Sequence, residues 1–564
     1  MRRRQLLLLL AAALCACCAA PDGAAAAEEE GEADHTAAAA GPPEAAAWRP
    51  RLRVLLFTSS MPSHVYLATK LARALAGAGH AVDLAAPAGR PAVTAARDVA
   101  ASPGDITVVP IGVESKAKPA SVRAVSDPTT YAALLRGLCD PMGRFLRQLR
   151  DFHRTMDVFF APLLERMMAP GTRPDVIVAT HSTMTVATDA AERAGIPALV
   201  LQGFPYDPAH ANGLGNGTWA IPRSLSALPH TSTYPTDAPA GVAGLAQRFW
   251  LLLDACLIKW GVYRSGLLAV VNTLRSKRGL EPIAADEKYP NVFDKVGMPP
   301  VGVPVIALGG PPFIPTGLLV PPRYRLVGAL DDAVTADSTG AELGAELQDW
   351  LSRAEAAGGS KVLLASFGTG TELSVAEGEA LAAGLGELAE AHGVRSIVSM
   401  RASEQVKHFA ALEHALGAPS WVSEAGDDGA FSAEFLGGAV RVQARVPQRP
   451  LLLSGNVDLF LSHCGFGSIA ESLSAGVPLL AYPAGLDQPF NAARIAEAGA
   501  ARMAPKGLRG LAAAAAEALR DEALREGAAR AAETLRQLEG ARRAVEAVEL
   551  EAAKCSHRPK FGAG

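Results

Sequence analysis

Cysteine is scarce in this chain, with seven in 564 residues, and Cys15, Cys17 and Cys18 crowd into the N-terminal apolar run. Cys139, Cys256, Cys464 and Cys555 remain, too few and too scattered for a disulfide framework. Neither charge sign prevails: 53 basic against 57 acidic side chains leave a formal −4. Without a basic field, or a basic stripe interleaved with aromatics, nucleic acid is not an expected partner. No G-x-G-x-x-G follows the first predicted strand, so the dinucleotide fingerprint is missing. No metal-ligand spacing is visible, and neither a metal nor another cofactor is expected. Apolar runs of membrane length are also lacking. F-W-L-L-L-D-A-C-L-I-K-W carries Asp254 and Lys259, the alanine-rich stretches after Asn491 include no apolar run of membrane length, and no C-terminal membrane anchor is expected.

The length exceeds what one hydrophobic core usually holds, so at least two domains are expected. Arg2, Arg3 and Arg4, the apolar run from Leu6, and small residues at Ala19 and Ala20 lay out residues 1–20 as a secretory signal peptide. This predicts a secretory-pathway protein, in the endoplasmic reticulum lumen or secreted. An uncleaved N-terminal anchor is the alternative, and Leu14 to Cys17 loosely resembles a lipoprotein site. Residues 21–50, largely Ala, Glu, Gly and Pro, bury too little to order themselves and read as a linker. Asn216-Gly-Thr218 is a single glycosylation acceptor pattern.

Folded structure is expected from Arg51. R-L-R-V-L-L-F reads as a strand, T-S-S-M-P-S-H as a loop, Val65 to Ala78 as an apolar-periodic helix and A-V-D-L-A-A-P as the next strand. His64 falls at the helix start, where the positive helix end favours the neutral imidazole that a general base requires. Strand, loop, helix and strand repeat from Asp175 to Val200, with Thr180, His181 and Ser182 on the loop. Asp175 precedes that strand and Asp189 lies about two turns into the helix, so neither carboxylate is well placed to orient His64. His181, or a hydroxyl of Thr180 or Ser182, is left for that task. Proline-rich Pro299 to Pro322 divides domain 51–322 from domain 323–535, and 536–564 forms a closing helix and tail. In the second domain V-L-L-A-S-F-G-T-G-T-E gives a strand and a glycine turn at Gly368 and Thr369.

The stretch Val457 to Arg494 carries the most information. Val457 to Ser462 is a short buried strand that breaks at His463 and Gly465, and a helix follows with Ser468 as N-cap and Glu471 three residues later, a capping box. The free N–H groups of that turn and the helix dipole make an anion site beyond the strand's carboxyl end. Val477 to Tyr482 is the next strand, and its loop brings Asp487, Gln488 and Asn491 to the start of another helix. Taken singly, Ser468 and Glu471 are a cap, and Asp487 and Gln488 merely open a helix.

Taken together, H-C-G-x-x-S-x-x-E, G-V-P and P-x-x-x-D-Q-x-x-N resemble the donor-site signature of the family 1 UDP-dependent glycosyltransferases. The resemblance implies an α/β chain of the GT-B kind, two Rossmann-like domains facing across an interdomain cleft. It implies His463, Gly465 and Ser468 at the diphosphate, Glu471 at the ribose, Asp487 and Gln488 at the sugar hydroxyls, and Gly368 and Thr369 near the phosphates. Pro447 and Gln448 match the family's W-x-P-Q segment, while Arg445 stands where a tryptophan stacks on the uracil. Phe466 and Gly467 replace the tryptophan and asparagine of the plant-type turn. His64 matches the family's catalytic histidine. The aspartate that usually follows the later strand is Thr180 and His181 here, which makes His181 the second catalytic candidate. The implied reaction is inverting transfer of a hexose from a UDP-sugar to a hydroxyl of a small, lipophilic acceptor, with the UDP-sugar as co-substrate. The alternative is a catalytically inactive sugar-nucleotide binder or auxiliary protein.

Overall fold

The computed structural model describes residues 51–100, 104–112, 151, 153–203, 266–283, 303–310, 312–313, 323–330, 343–356, 360–368, 371–424, 430–484 and 488–556. The expected signal peptide and linker, Asn216, Asp254, Lys259, Thr369 and Asp487 lie outside these residues. Residues 51–564 cluster as one compact unit.

The first sheet is built from β1 (Arg53–Phe57), β2 (Ala81–Pro87), β3 (Asp105–Ile111), β4 (Val176–Thr180), β5 (Ala198–Gln202), β6 (Val305–Ala307) and β7 (Tyr324–Leu326). All its pairings are parallel, in the order β3-β2-β1-β4-β5-β6-β7. The inner strands are apolar on both faces because helices cover both sides: all of Val176–Thr180 is buried, as is β1 after Arg53. The second sheet comprises β8 (Val362–Ser366), β9 (Arg395–Ser399), β10 (Trp421–Glu424), β11 (Phe431–Phe435), β12 (Val440–Gln443), β13 (Leu459–Ser462), β14 (Leu479–Ala481) and β15 (Ala501–Met503). Its order is β10-β11-β12-β9-β8-β13-β14-β15, with only the β10–β11 and β11–β12 pairings antiparallel. The architecture is the GT-B one the sequence predicts.

Each sheet has one place where successive connections run to opposite sides. In the first it lies between β1 and β4, and in the second between β8 and β13. A doubly wound sheet opens a crevice at such a switch point, beyond the carboxyl ends of the two strands. The connections out of β1 and β4 bring His64, at the start of the following helix, and Ser182, and the loops after β8 and β13 hold Gly368 and His463. Topology alone thus collects the four loops on which the functional reading depends.

Among the helices of the described residues, those that bear on the site are α1 (Pro62–Gly77), α2 (Met184–Ala194), α3 (Leu267–Lys277), α4 (Val375–His392), α5 (Gln448–Leu453), α6 (Phe466–Ser474), α7 (Gln488–Glu497), α8 (Glu522–Leu538) and α9 (Gly540–Ser556). The boundary expected between 322 and 323 falls one strand early, because Tyr324–Leu326 continues the first sheet in register with Val305–Ala307. The boundary at 535/536 cuts into α8, which runs on to Leu538. The chain turns at Glu539, which is left-handed at φ +47, and α9 then packs on the first sheet's helix α1. His80 fixes it there: Nδ1 accepts from the Leu52 amide at 3.3 Å and Nε2 donates to Glu549 at 3.1 Å. A Cβ at Gly540 would stand 1.9 Å from the Ala329 carbonyl oxygen, so only glycine allows this approach. One hydrophobic cluster runs through both halves, from Val54, Val178 and Leu201 to Phe460, Ile469 and Leu535.

Candidate active site

His64 is the third residue of α1, after Pro62 and Ser63, with Met61 as a cap that offers no side-chain bond. Pro at the first helical position needs no N–H partner, so the helix starts sharply and its end faces the crevice. The His64 Nδ1 lies 2.6 Å from Ser182 Oγ, in the 3₁₀ turn His181–Thr183 that links β4 to α2. Burial lowers the imidazole from its ordinary 6.5 to about 4. The ring is therefore neutral at physiological pH, and with Nδ1–H donated to Ser182 the lone pair sits on Nε2.

Of the three polar residues on this turn, Ser182 is the one whose hydroxyl meets His64 Nδ1. Thr180 is fully buried and its hydroxyl lies 3.3 Å from that of Thr183, while His181, at the head of the turn, is half-buried. Thr183 donates to the Phe57 carbonyl at 3.1 Å, tying the β4 loop to the end of β1. The two nearby aspartates are engaged elsewhere. Asp175 accepts from the Arg53 amide at 2.7 Å at the opposite end of β1. Asp189, buried in α2, binds Arg275 and Arg278, and Arg278 also binds Asp157 at 2.8 Å.

On the donor side the H-C-G turn has an unusual backbone. Cys464 is a buried, left-handed non-glycine at φ +63, with its N–H donated to Ser462 Oγ at 3.1 Å. Asn491 Nδ2 donates to the Cys464 carbonyl at 3.0 Å and holds the turn from α7. This changes the helix start. Gly465 is the N-cap and α6 begins at Phe466, so Ser468 is the third helical residue and not the cap expected of it. The real capping box of this domain is Ser374 with Glu377, at the head of α4. Relieved of a capping role, Ser468 Oγ accepts from Gln448 Nε2 at 3.3 Å, and the same nitrogen donates to Glu471 Oε2 at 2.8 Å.

His463 stands in a slot made by two glycines. A Cβ at Gly368 would come 2.5 Å from its Nε2, and one at Gly465 2.6 Å. Gly368 is also left-handed, at φ +67. Burial lowers the His463 imidazole to about 4, against a smaller raising by the Ser366 backbone. Gln448, Ser468, Glu471, His463, Gly465 and Gly368 therefore converge on the β8–β13 crevice. Arg445 is exposed on the loop before α5, and its carbonyl accepts from Gln443 at 2.8 Å. Gln488 is buried and its Oε1 accepts from the Ala484 amide at 2.8 Å, which fixes the loop into α7.

The two sides meet. Phe466, in place of the family's tryptophan, packs edge-on against Phe313 at 4.8 Å between centroids. Lys70, on the helix of His64, lies 3.3 Å from Glu471 Oε1. Nothing in the sequence signals this pair, which joins residues 401 positions apart. Among the described residues no group of three or more His, Cys, Asp or Glu side chains could hold a metal ion, and no helix is long and apolar enough to cross a membrane.

Comparison with known proteins agrees with this geometry. Residues 429–541, which hold the Gln448–Glu471 cluster, match the erythromycin biosynthesis protein CIII-like C-terminal domain. UDP-glycosyltransferase 91B1 of Arabidopsis thaliana is 25% identical over 462 residues, covering 78% of this chain and 82% of that protein. The chain is thus similar to UDP-glycosyltransferases along most of its length. A shorter match, 31% identical over 174 residues, relates the glycosyltransferase to β-D-glucosyl crocetin β-1,6-glucosyltransferase of Gardenia jasminoides and spans 34% of it. The solved UDP-glucosyltransferase from Polygonum tinctorium shares the fold at a TM-score of 0.52 and 18% identity, over 89% of this glycosyltransferase and 99% of that chain. Each of these relatives is a transferase, which favours an enzyme over a non-catalytic binder.

Proposed function

We propose that this glycosyltransferase moves a hexose from a UDP-sugar to a hydroxyl of a small, lipophilic acceptor with inversion at the anomeric carbon. The observation that carries the reading is the pairing of two switch-point crevices, one holding a neutral imidazole and the other a glycine-lined turn at a helix N-terminus. His64 Nε2 takes the acceptor proton as the acceptor oxygen attacks the anomeric carbon, and the bond to the donor diphosphate breaks. Ser182 holds the imidazole by Nδ1. His181 lines the same turn on the acceptor side. The N–H groups at the start of α6, with His463, Gly465 and Ser468, receive the charge that develops on the leaving diphosphate. Glu471 and Gln448 take the ribose, Arg445 covers the base, Gly368 and Thr369 let the phosphates approach the backbone, and Asp487 and Gln488 read the sugar. The scheme gives no task to a metal. Residues 1–20 direct the chain to the secretory pathway, which N-terminal sequencing of the exported protein tests.

The test of function is incubation of the mature protein with UDP-glucose, other UDP-sugars and a mixed acceptor panel, followed by mass spectrometry. A hexose addition that disappears in His64→Ala supports the reading. A fully active His64→Ala protein would remove His64 from the role of base, and hydrolysis to free sugar without transfer would change the reaction class.

A further inference from the structure

Glu471 is 5% exposed, and both its carboxylate oxygens are engaged by protein. Oε2 accepts from Gln448, a neighbour in the same domain, but Oε1 pairs with Lys70 Nζ at 3.3 Å, from the other side of the interdomain cleft. The Lys70 side chain is itself only 11% exposed, and its ammonium lies 4.3 Å from the centroid of the Tyr66 ring one turn earlier on α1. Two charges have been withdrawn from water to make this contact, at a desolvation cost that a pair of this geometry does little more than offset. Stability alone gives a weak reason for it. Its location gives a better one, because Lys70 follows His64 by six residues on one helix, about 9 Å along the axis, and Glu471 is on the helix whose N-terminus faces the diphosphate.

We propose that Lys70 is a donor-positioning residue supplied by the acceptor-side domain: its ion pair with Glu471 aims that carboxylate at the ribose and sets the helix of His64 against the nucleotide site. The inference rests on the assignment of Glu471 to the ribose. An ionised carboxylate is an acceptor only, with lone pairs to spare after one lysine and one glutamine contact, so it can still receive ribose hydroxyls. The ammonium holds the carboxylate in one rotamer and supplies the counter-charge that a buried acid needs. Lysine does this as a compact point charge with three donors, of which Glu471 uses one.

The experiment compares the wild type with Lys70→Met, Lys70→Arg, Glu471→Gln and the Lys70→Met/Glu471→Gln double variant. It measures UDP affinity by calorimetry, donor and acceptor KM, kcat and thermal midpoint. Lys70→Met should raise the UDP Kd and the donor KM about tenfold, with acceptor KM and kcat at saturating donor changed by less than about twofold. Lys70→Arg should recover most of the loss. In the Glu471→Gln background, removing Lys70 should cost little more, because the partner is already gone. A Lys70→Met protein with wild-type donor KM overturns the proposal, and so does a full tenfold loss in the Glu471→Gln background. A uniform fall in kcat and thermal midpoint that Lys70→Arg does not rescue marks a structural residue and also overturns it. A wild type that binds no UDP sinks the assignment of Glu471 as well; the two failures are distinct, since the first leaves wild-type UDP binding intact.

Discussion

Replacing Ser182 by aspartate tests the acceptor half of the site directly. In the wild type the partner of His64 Nδ1 is a neutral hydroxyl at 2.6 Å, and burial leaves the imidazole at about 4. The fall from 6.5 to about 4 disfavours the imidazolium by roughly 3 kcal/mol. An opposite charge within about 4–6 Å typically moves a titrating group by one to three pH units. A carboxylate one bond beyond the present Oγ therefore brings His64 to roughly 5–7. In Ser182→Asp the pH profile of kcat/KM should gain an acid limb between about pH 5 and 7, where the wild type is flat as far as His64 is concerned. If half of a two-unit gain in basicity appears in the transition state, kcat toward an aliphatic alcohol rises about tenfold. Initial rates at saturating UDP-sugar across pH 4.5–8.5, with ¹⁵N titration of the imidazole, provide the assay. An imidazole that still titrates near 4 in Ser182→Asp, or a Ser182→Ala protein with wild-type kcat, would refute the claim that the Ser182 contact governs His64.

Four other outcomes follow from the same geometry. Gly368→Ala puts a methyl 2.5 Å from His463 Nε2 at a φ of +67 and should cost at least about tenfold in UDP affinity by calorimetry, with the fold intact by circular dichroism. His64 and His463 both titrate near 4 in the folded protein but near 6.5 when unfolded, so the unfolded chain binds more protons between those values. Stability should be complete above about pH 6.5 and fall as the pH drops toward 4, and His64→Gln should flatten that slope in urea titrations. Asp189→Ala removes the buried carboxylate that Arg275 and Arg278 share, leaving them Glu192 and Asp157, and should lose about 1–3 kcal/mol of stability in the same titrations, without moving the His64 titration. Dialysis against EDTA should leave the rate of transfer unchanged.

The legible parts of this protein are those written in consecutive residues. The apolar strands, the helix after β1 and the H-C-G stretch all announce themselves by local pattern, and the crevices follow from the alternation of strand and helix. The S-x-x-E spacing puts a capping box at Ser468, yet the left-handed turn at Cys464 starts the helix at Phe466, and no pattern rule reports that φ. Proline density marks where a chain is irregular, not where a domain ends, and Tyr324–Leu326 belongs to the first sheet because it pairs with Val305–Ala307. Ser182 was one of three hydroxyl or imidazole choices on its loop until the turn geometry aimed it at His64. Lys70 was invisible, since an ion pair over 401 positions has no local signature.

The return of α9 to the first sheet has a consequence for how the protein is made. His80 and Glu549 are 469 positions apart, and the Gly540 contact with Ala329 belongs to the same docking. A ribosome releases β1 to β7 long before α9, so the acceptor-side domain emerges with the flank of α1 uncovered and must wait for the donor-side domain to be synthesised before that flank is sealed. An acceptor-side fragment expressed by itself should therefore be sticky, and adding residues 540–556 in trans should solubilise it.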